Sequence, residues 1–169
     1  MENILYREPV VEDAQEIVDF YNRVGGETSF LSFEKDEYPM NVEAQKQDIQ
    51  DTKASDNNTM LLALAHDKII GIGTISSSSK IKSRHCGELG IVVENAFQGK
   101  GVGSEIIKKL LDWCKTNHVT TRVQLDTRCD NENAVKLYQK FGFEIEGRQV
   151  NSTLLNGKYY DLYIMGMML

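Results

Sequence analysis

The chain of 169 residues is short of cysteine, histidine and long apolar runs, with three of each residue type and only brief hydrophobic stretches. The apolar segment Leu61–Ala65 falls far below the ~18 consecutive residues expected of a membrane span. Its start, Met-Glu-Asn-Ile-Leu-Tyr-Arg-Glu, carries acidic residues and no apolar stretch of signal-peptide type. A cytoplasmic protein without membrane contact is therefore expected. Cys86, Cys114 and Cys129 form no CxxC pair, and His66, His85 and His118 lack metal-ligand spacing. Neither a disulfide framework nor a bound metal is expected. A basic excess is also missing. The net charge of −6 opposes nucleic-acid binding, which needs clustered Lys and Arg. That charge suits either a cationic acceptor or simple solubility.

No repeat, linker or low-complexity tract divides the chain, and Ser76–Ser79 reads as a surface loop. Length therefore predicts one domain over residues 1–169. At 41% hydrophobic and 26% charged residues, such a domain can bury a core without a covalent staple. Ile4 to Arg7 reads as a strand. Ala14, Ile17, Val18 and Tyr21 then recur at helical spacing until Gly25-Gly26. A second helix follows Pro39, over roughly Val42 to Asp51. Met60–Ala65 and Ile69–Ser76 form a hairpin around His66-Asp67-Lys68. Glu88–Val93 is a strand. Ile106, Ile107, Leu110, Leu111 and Cys114 make the apolar stripe of a helix opening near Gly101, with Lys108, Lys109, Asp112 and Lys115 on its wet face. Arg122–Thr127 alternates as a strand, and Ala134, Leu137, Tyr138 and Phe141 mark a short helix closed by Gly142. Asn156-Gly157, a strong hairpin signal, joins Arg148–Leu155 to Lys158–Met168. The sum is a mixed α/β chain with a largely antiparallel sheet.

One stretch carries most of the chemical signal: the strand Glu88–Val93 runs into Gln98-Gly-Lys-Gly-Val-Gly-Ser104, which opens a helix. Amides at a helix start lack main-chain partners and carry partial positive charge, so such a turn can hold a phosphate. Glycines at 99, 101 and 103 allow close approach of the anion, although tight backbone packing would also select them. The segment matches neither GxxxxGK[ST] nor GxGxxG.

Gln98-x-x-Gly101-x-Gly103 after Ile91-Val92-Val93 resembles the coenzyme A pyrophosphate loop of the GCN5-related N-acetyltransferase (GNAT) superfamily. Some 30 residues later, Asn131-Glu-Asn-Ala134-Val-Lys-Leu137-Tyr138, followed by Phe141-Gly142-Phe143, is similar to the family's Asn-x-x-Ala-x-x-Leu-Tyr…Gly-Phe signature. Gly157-Lys-Tyr-Tyr-Asp161 with Met165 resembles the tail of small bacterial members. Asn95 departs from the pattern, since many members have Pro there, at a position that shapes the turn.

The resemblance implies a mostly antiparallel sheet of about seven strands with flanking helices, and acetyl transfer from acetyl-CoA to a small-molecule or protein amine. It implies a pyrophosphate cradle from the backbone of Gln98, Gly99, Lys100, Gly101, Val102, Gly103 and Ser104. A bulged strand at Ile91, Val92 and Val93 would lie along the pantetheine, with Asn131 and Ala134 beside it. These three strand residues equally suit a buried core. Asn131 also suits a helix cap. An alkyl ammonium, with pKa around ~10.4, must lose a proton before it attacks. Glu88 and Asp126 are the candidate bases, Glu88 preferred. Tyr138 stands at the family's position for protonating the departing thiol, where an ordinary tyrosine near ~10 would face a thiol near ~8.5. The loop Glu27–Phe33 and the hairpin around Tyr159–Asp161 would wall the acceptor site. Glu27, Glu34 and Asp161 either attract a cation there or are simply solvated. The free cysteines lack an obvious His partner, so direct transfer in a ternary complex is preferred to an acyl-cysteine route. Family habit also allows a homodimer. Two further readings are a catalytically silent CoA-binding sensor and a nucleotide-binding domain. The second leaves the Asn131–Tyr138 signature unexplained.

Overall fold

The computed structural model describes residues 3–27 and 30–169. Within them the strands are β1 (Ile4–Arg7), β2 (Thr59–Ala65), β3 (Lys68–Ser77), β4 (Cys86–Val93), β5 (Arg122–Arg128), β6 (Glu144–Leu155) and β7 (Lys158–Met168). The helices are α1 (Ala14–Gly25), α2 (Val42–Ala54), α3 (Val102–Thr116) and α4 (Glu132–Lys140). The strands form one sheet in the order β1-β2-β3-β4-β5-β7-β6. Every neighbouring pair is antiparallel except β4 and β5, whose parallel pairing needs the long crossover that α3 supplies. The seven-stranded, mostly antiparallel architecture expected from sequence is thus the one found.

Alternation along the strands sorts side chains onto two faces. Leu89 of β4 and Val123 and Leu125 of β5 pack with Ile106, Ile107, Leu110 and Leu111 of α3 and with Phe143. Leu62, Leu64 and Ile72 turn the other way, against Ile17 and Phe20 of α1 and Ile49 of α2. Each such buried aliphatic contributes roughly 1.5–3 kcal/mol, and the two cores together hold α1 and α3 on opposite sides of β4.

Several boundaries differ from the sequence reading. β4 begins two residues early at Cys86, and α2 continues to Ala54. β6 starts at Glu144, not Arg148, because an exposed, bulged edge strand shows no apolar alternation. Two 3-10 turns, Val11–Asp13 and Asn95–Phe97, are too short to leave a periodic signal. Both hairpin turns agree with expectation: His66 and Asp67, like Asn156 and Gly157, have positive φ.

Candidate active site

β4 and β5 are paired over three rungs only: Cys86 with Arg122, Gly87 with Val123 and Glu88 with Gln124. Beyond them β4 stays with β3 as far as Val93, and β5 stays with β7 as far as Arg128. The two strands therefore part, and the facing main-chain groups from Leu89 and Leu125 onward are not spent on each other. The bulge expected in β4 is absent from its ladder with β3, which runs in continuous register from Gly71–Val93 to Ser77–Gly87. Divergence from β5, and not a bulge, frees the β4 edge.

A cavity of about 650 Å³ lies against the outer part of β4, between the glycine turn and α4. It is lined by Ile91 and Val93 of β4, by Gln98, Gly99, Gly101, Gly103 and Ser104, and by Asn131, Asn133, Ala134, Leu137 and Tyr138. Gly99 and Gly101 have φ of 71° and 85°, a left-handed conformation that a Cβ penalises. Among the described residues, a Cβ built on either meets nothing within 4 Å, so packing does not select these glycines. They turn the chain so that α3 begins at Val102 with its first amides directed along the helix axis. Gln98 braces the turn, its Nε2 donating to the Val93 carbonyl at 3.1 Å and to Asn95 Oδ1 at 3.0 Å. Lys100 lies over the Phe97 ring at 5.0 Å. A positive helix start, an open glycine backbone and a free strand edge on one cavity suit the diphosphate and pantetheine of coenzyme A.

Ten of the fifteen sequence-predicted site residues line this cavity. Val92 packs on the α1 and α2 side, Val102 sends its side chain into the core, and Lys100 stays outside the lining. Asn131 caps α4, its Oδ1 accepting from the Ala134 amide at 3.4 Å. Asn133 and Leu137 were missed. Leu137 stands in the apolar stripe and in the Asn131–Tyr138 signature without a site role, although it lies next to Tyr138 and one turn from Asn133.

Tyr138 is buried, its ring edge-on to Phe143 at 5.9 Å. Burial, aided by the Asp126 charge, pushes its hydroxyl up to about 12. Glu88 and Asp126 are both exposed and lie outside the cavity lining. Alternation puts them on the sheet face opposite α3, Glu88 at the last paired rung and Asp126 two residues beyond its partner Gln124. Cys114 is buried and its thiol is pushed up to about 11, while burial also raises Cys129. Neither is an activated thiolate.

The walls expected for the acceptor meet across a residue that sequence reasoning missed. Arg128, at the end of β5, stacks its guanidinium 3.8 Å from the Tyr160 ring and 4.8 Å from the Phe30 ring. It also pairs with Asp130 at 2.7 Å. Thr28 and Ser29 of the Glu27–Phe33 loop lie outside the described residues. Asp161, offered as a cation attractor, is engaged instead: it accepts from Arg148 Nε at 2.7 Å and from the Asn151 amide at 2.8 Å. Glu27 accepts from Asn95, and Glu34 is exposed.

Residues 27–143 match the model of the Acetyltransferase (GNAT) family. The chain belongs to this family. Among solved structures, a GNAT-family acetyltransferase from Streptococcus pneumoniae superposes with a TM-score of 0.96 at 36% identity, covering 99% of this chain and 100% of that one. A putative acetyltransferase from Salmonella typhimurium, solved with its cofactor acetyl-CoA, gives a TM-score of 0.85 at 17% identity over 98% and 94% of the two chains. The latter is a likeness of fold. Among curated proteins, the L-amino acid N-acetyltransferase of Escherichia coli (strain K12) is 32% identical over 105 residues, 62% of this chain. That match spans 65% of the E. coli protein, under two thirds of its length. The cavity's glycine turn, open strand edge and buried tyrosine all lie within the matched stretch.

Proposed function

We propose that this chain is an acetyl-CoA-dependent N-acetyltransferase acting on a primary amine by direct transfer in a ternary complex. The observation that carries the reading is the convergence of the Gly99–Ser104 turn, the free edge of β4 and the Tyr138 ring on one cavity. Family membership and the cofactor bound to the Salmonella neighbour support acetyl-CoA as donor.

Bound in this cavity, acetyl-CoA supplies an activated acetyl group. The amides of Gly99 to Ser104 hold the diphosphate, with the α3 dipole adding to their partial charge. Main-chain groups of Ile91 to Val93 align the pantetheine and polarise the acyl carbonyl. An oxyanion donor of this kind is typically worth about 3 kcal/mol. On the opposite face, the Glu88 carboxylate accepts the proton of the acceptor ammonium, with Asp126 as the neighbouring alternative.

Tyr138 takes a narrower role than ordinary pKa values would suggest. A hydroxyl held at about 12 keeps its proton throughout the neutral range. Tyr138 therefore acts by donating a hydrogen bond from Oη to the developing thiolate, whose proton finally comes from solvent.

The acceptor is a small amine or a protein amine. The similarity to an L-amino acid N-acetyltransferase favours testing amino acids first. Thiol release should be followed against amino acids, polyamines and N-terminal peptides. Release dependent on one acceptor class supports the reading. CoA binding without release from any of them would favour a silent sensor.

A further inference from the structure

Thr74 and Gly90 face each other across β3 and β4, on the sheet face that also carries Glu88. On β2 the same rung continues to Met60, which is buried in the α1 and α2 core. Thr74 is only half-buried, so that core gives way here to the face proposed for the acceptor. Gly90 does not have a positive φ, and backbone conformation therefore does not select a glycine. Space does. A Cβ built on Gly90 would lie 2.8 Å from Thr74 Oγ1, closer than real side chains approach. Among the described residues beyond its chain neighbours, that oxygen is the sole atom within 4 Å of the position. The hydroxyl thus takes the place of the missing side chain of residue 90, two residues past the last rung that β4 shares with β5. Among the described residues it makes no hydrogen bond.

We infer that Thr74 belongs to the acceptor site: its Oγ1 accepts a hydrogen bond from the amine nitrogen and turns that nitrogen's lone pair toward the thioester. The inference rests on the N-acetyl transfer proposed above and names a residue for it. Glu88 is the diagonal neighbour of Thr74, since it pairs with Ser76 one rung along the same face. Diagonal pairs stand roughly 7–8 Å apart, which leaves room for one nitrogen between carboxylate and hydroxyl. An alkyl ammonium has three or fewer N–H groups to give and no lone pair. Once a primary ammonium has passed one proton to Glu88, two N–H groups and a lone pair remain. An oxygen fixed on one of those N–H groups removes a rotation that the carboxylate alone leaves free. Glycine at 90 is part of the same arrangement, because a larger residue would push the hydroxyl off its rung.

Thiol release should be measured at saturating acetyl-CoA against L-phenylalanine, spermidine and a peptide with N-terminal alanine, with calorimetry of coenzyme A on each variant. Thr74→Val keeps the branched shape and loses the hydroxyl. It should lower kcat/KM by about 10-fold, the worth of one hydrogen bond, and by the same factor for every amine that the wild type accepts. Thr74→Ser should stay within ~3-fold of wild type, and the coenzyme A Kd within ~2-fold in both, because the lost bond is to the amine. A merely structural threonine predicts the opposite ranking, since valine keeps the packing methyl and serine loses it.

Gly90→Ala approaches the same hydroxyl from the other strand. Its Cβ displaces Thr74 Oγ1, the end of a rotatable side chain, so the fold should hold. The value of kcat/KM should fall about 5-fold in the wild type, but by less than ~2-fold where Thr74→Ala is already present. Serine performing below valine, or equal Gly90→Ala losses in the two backgrounds, overturns the role of Thr74 alone. A wild type that binds coenzyme A and releases no thiol with any of the amines overturns the N-acetyltransferase reading, and the role of Thr74 with it.

Discussion

Glu88 and Gln124 form the last paired rung between β4 and β5, and the strands separate immediately beyond it. The rung sets an exposed carboxylate at the mouth of the divergence, on the face opposite α3. Glu88→Gln is expected to lower kcat at neutral pH by about 100-fold, the low end of the range for a positioned base. The deficit should shrink as pH approaches the amine's own ~10.4, where free base is abundant. A pH–rate series by thiol release checks this. A larger loss in Asp126→Asn would move the role to Asp126.

Tyr138→Phe keeps the ring against Phe143 and removes only Oη. It should reduce kcat by about 100-fold while leaving the coenzyme A Kd within ~3-fold, because the hydroxyl acts on charge that develops in the transition state. Unchanged kcat would remove Tyr138 from the mechanism. The raised pKa also has a sign. Between pH 10 and about 12 a tyrosine in the unfolded chain loses its proton while Tyr138 keeps its own. The unfolded state then binds fewer protons, so stability falls with rising pH across that window. Denaturant titrations at pH 9.5 and 11.5 should show a smaller loss in the phenylalanine variant.

Asp13 fastens the start of α1 to β1. Its carboxylate accepts from Arg7 at 2.7 and 2.9 Å and from the Val10 amide at 2.7 Å. The Arg7 hydrogen bonds, ahead of the burial that opposes them, hold its pKa below the usual 3.8. Asp13→Ala should cost about 2–3 kcal/mol at pH 7, since the Val10 N–H and a half-exposed guanidinium lose their partner. With the folded pKa depressed, this contribution is present above about pH 4 and lost as pH falls through the folded value. The gap in Tm between wild type and variant should therefore narrow below pH 4.

Gly101→Val forces a β-branched residue into φ 85°, at a cost of about 1–2 kcal/mol. Among the described residues, no atom within 4 Å opposes the new Cβ, so the fold should survive. Coenzyme A binding should disappear from calorimetric titrations, and retained micromolar affinity would contradict the cradle.

The legible parts of the molecule were those whose cause is local. The alternation of Val123 and Leu125, the stripe from Ile106 to Cys114 and the Asn156-Gly157 turn each follow from backbone geometry within one element. Gly101 was legible for the same reason, because a left-handed residue at a helix start leaves a glycine in the sequence. What stayed hidden depends on partners distant in the chain. The parting of β4 from β5 is set by which neighbour each strand prefers. The stacking of Arg128 between Phe30 and Tyr160 joins three segments, and the raised pKa of Tyr138 arises from burial that no short motif encodes.

The most direct test is a crystal structure of the wild-type chain with coenzyme A at saturating concentration. The expected result is diphosphate oxygens within hydrogen-bonding distance of main-chain amides between Gly99 and Ser104, with the pantetheine running between β4 and β5. Cofactor seated elsewhere, leaving that turn uncontacted, would contradict the proposed activity at its root.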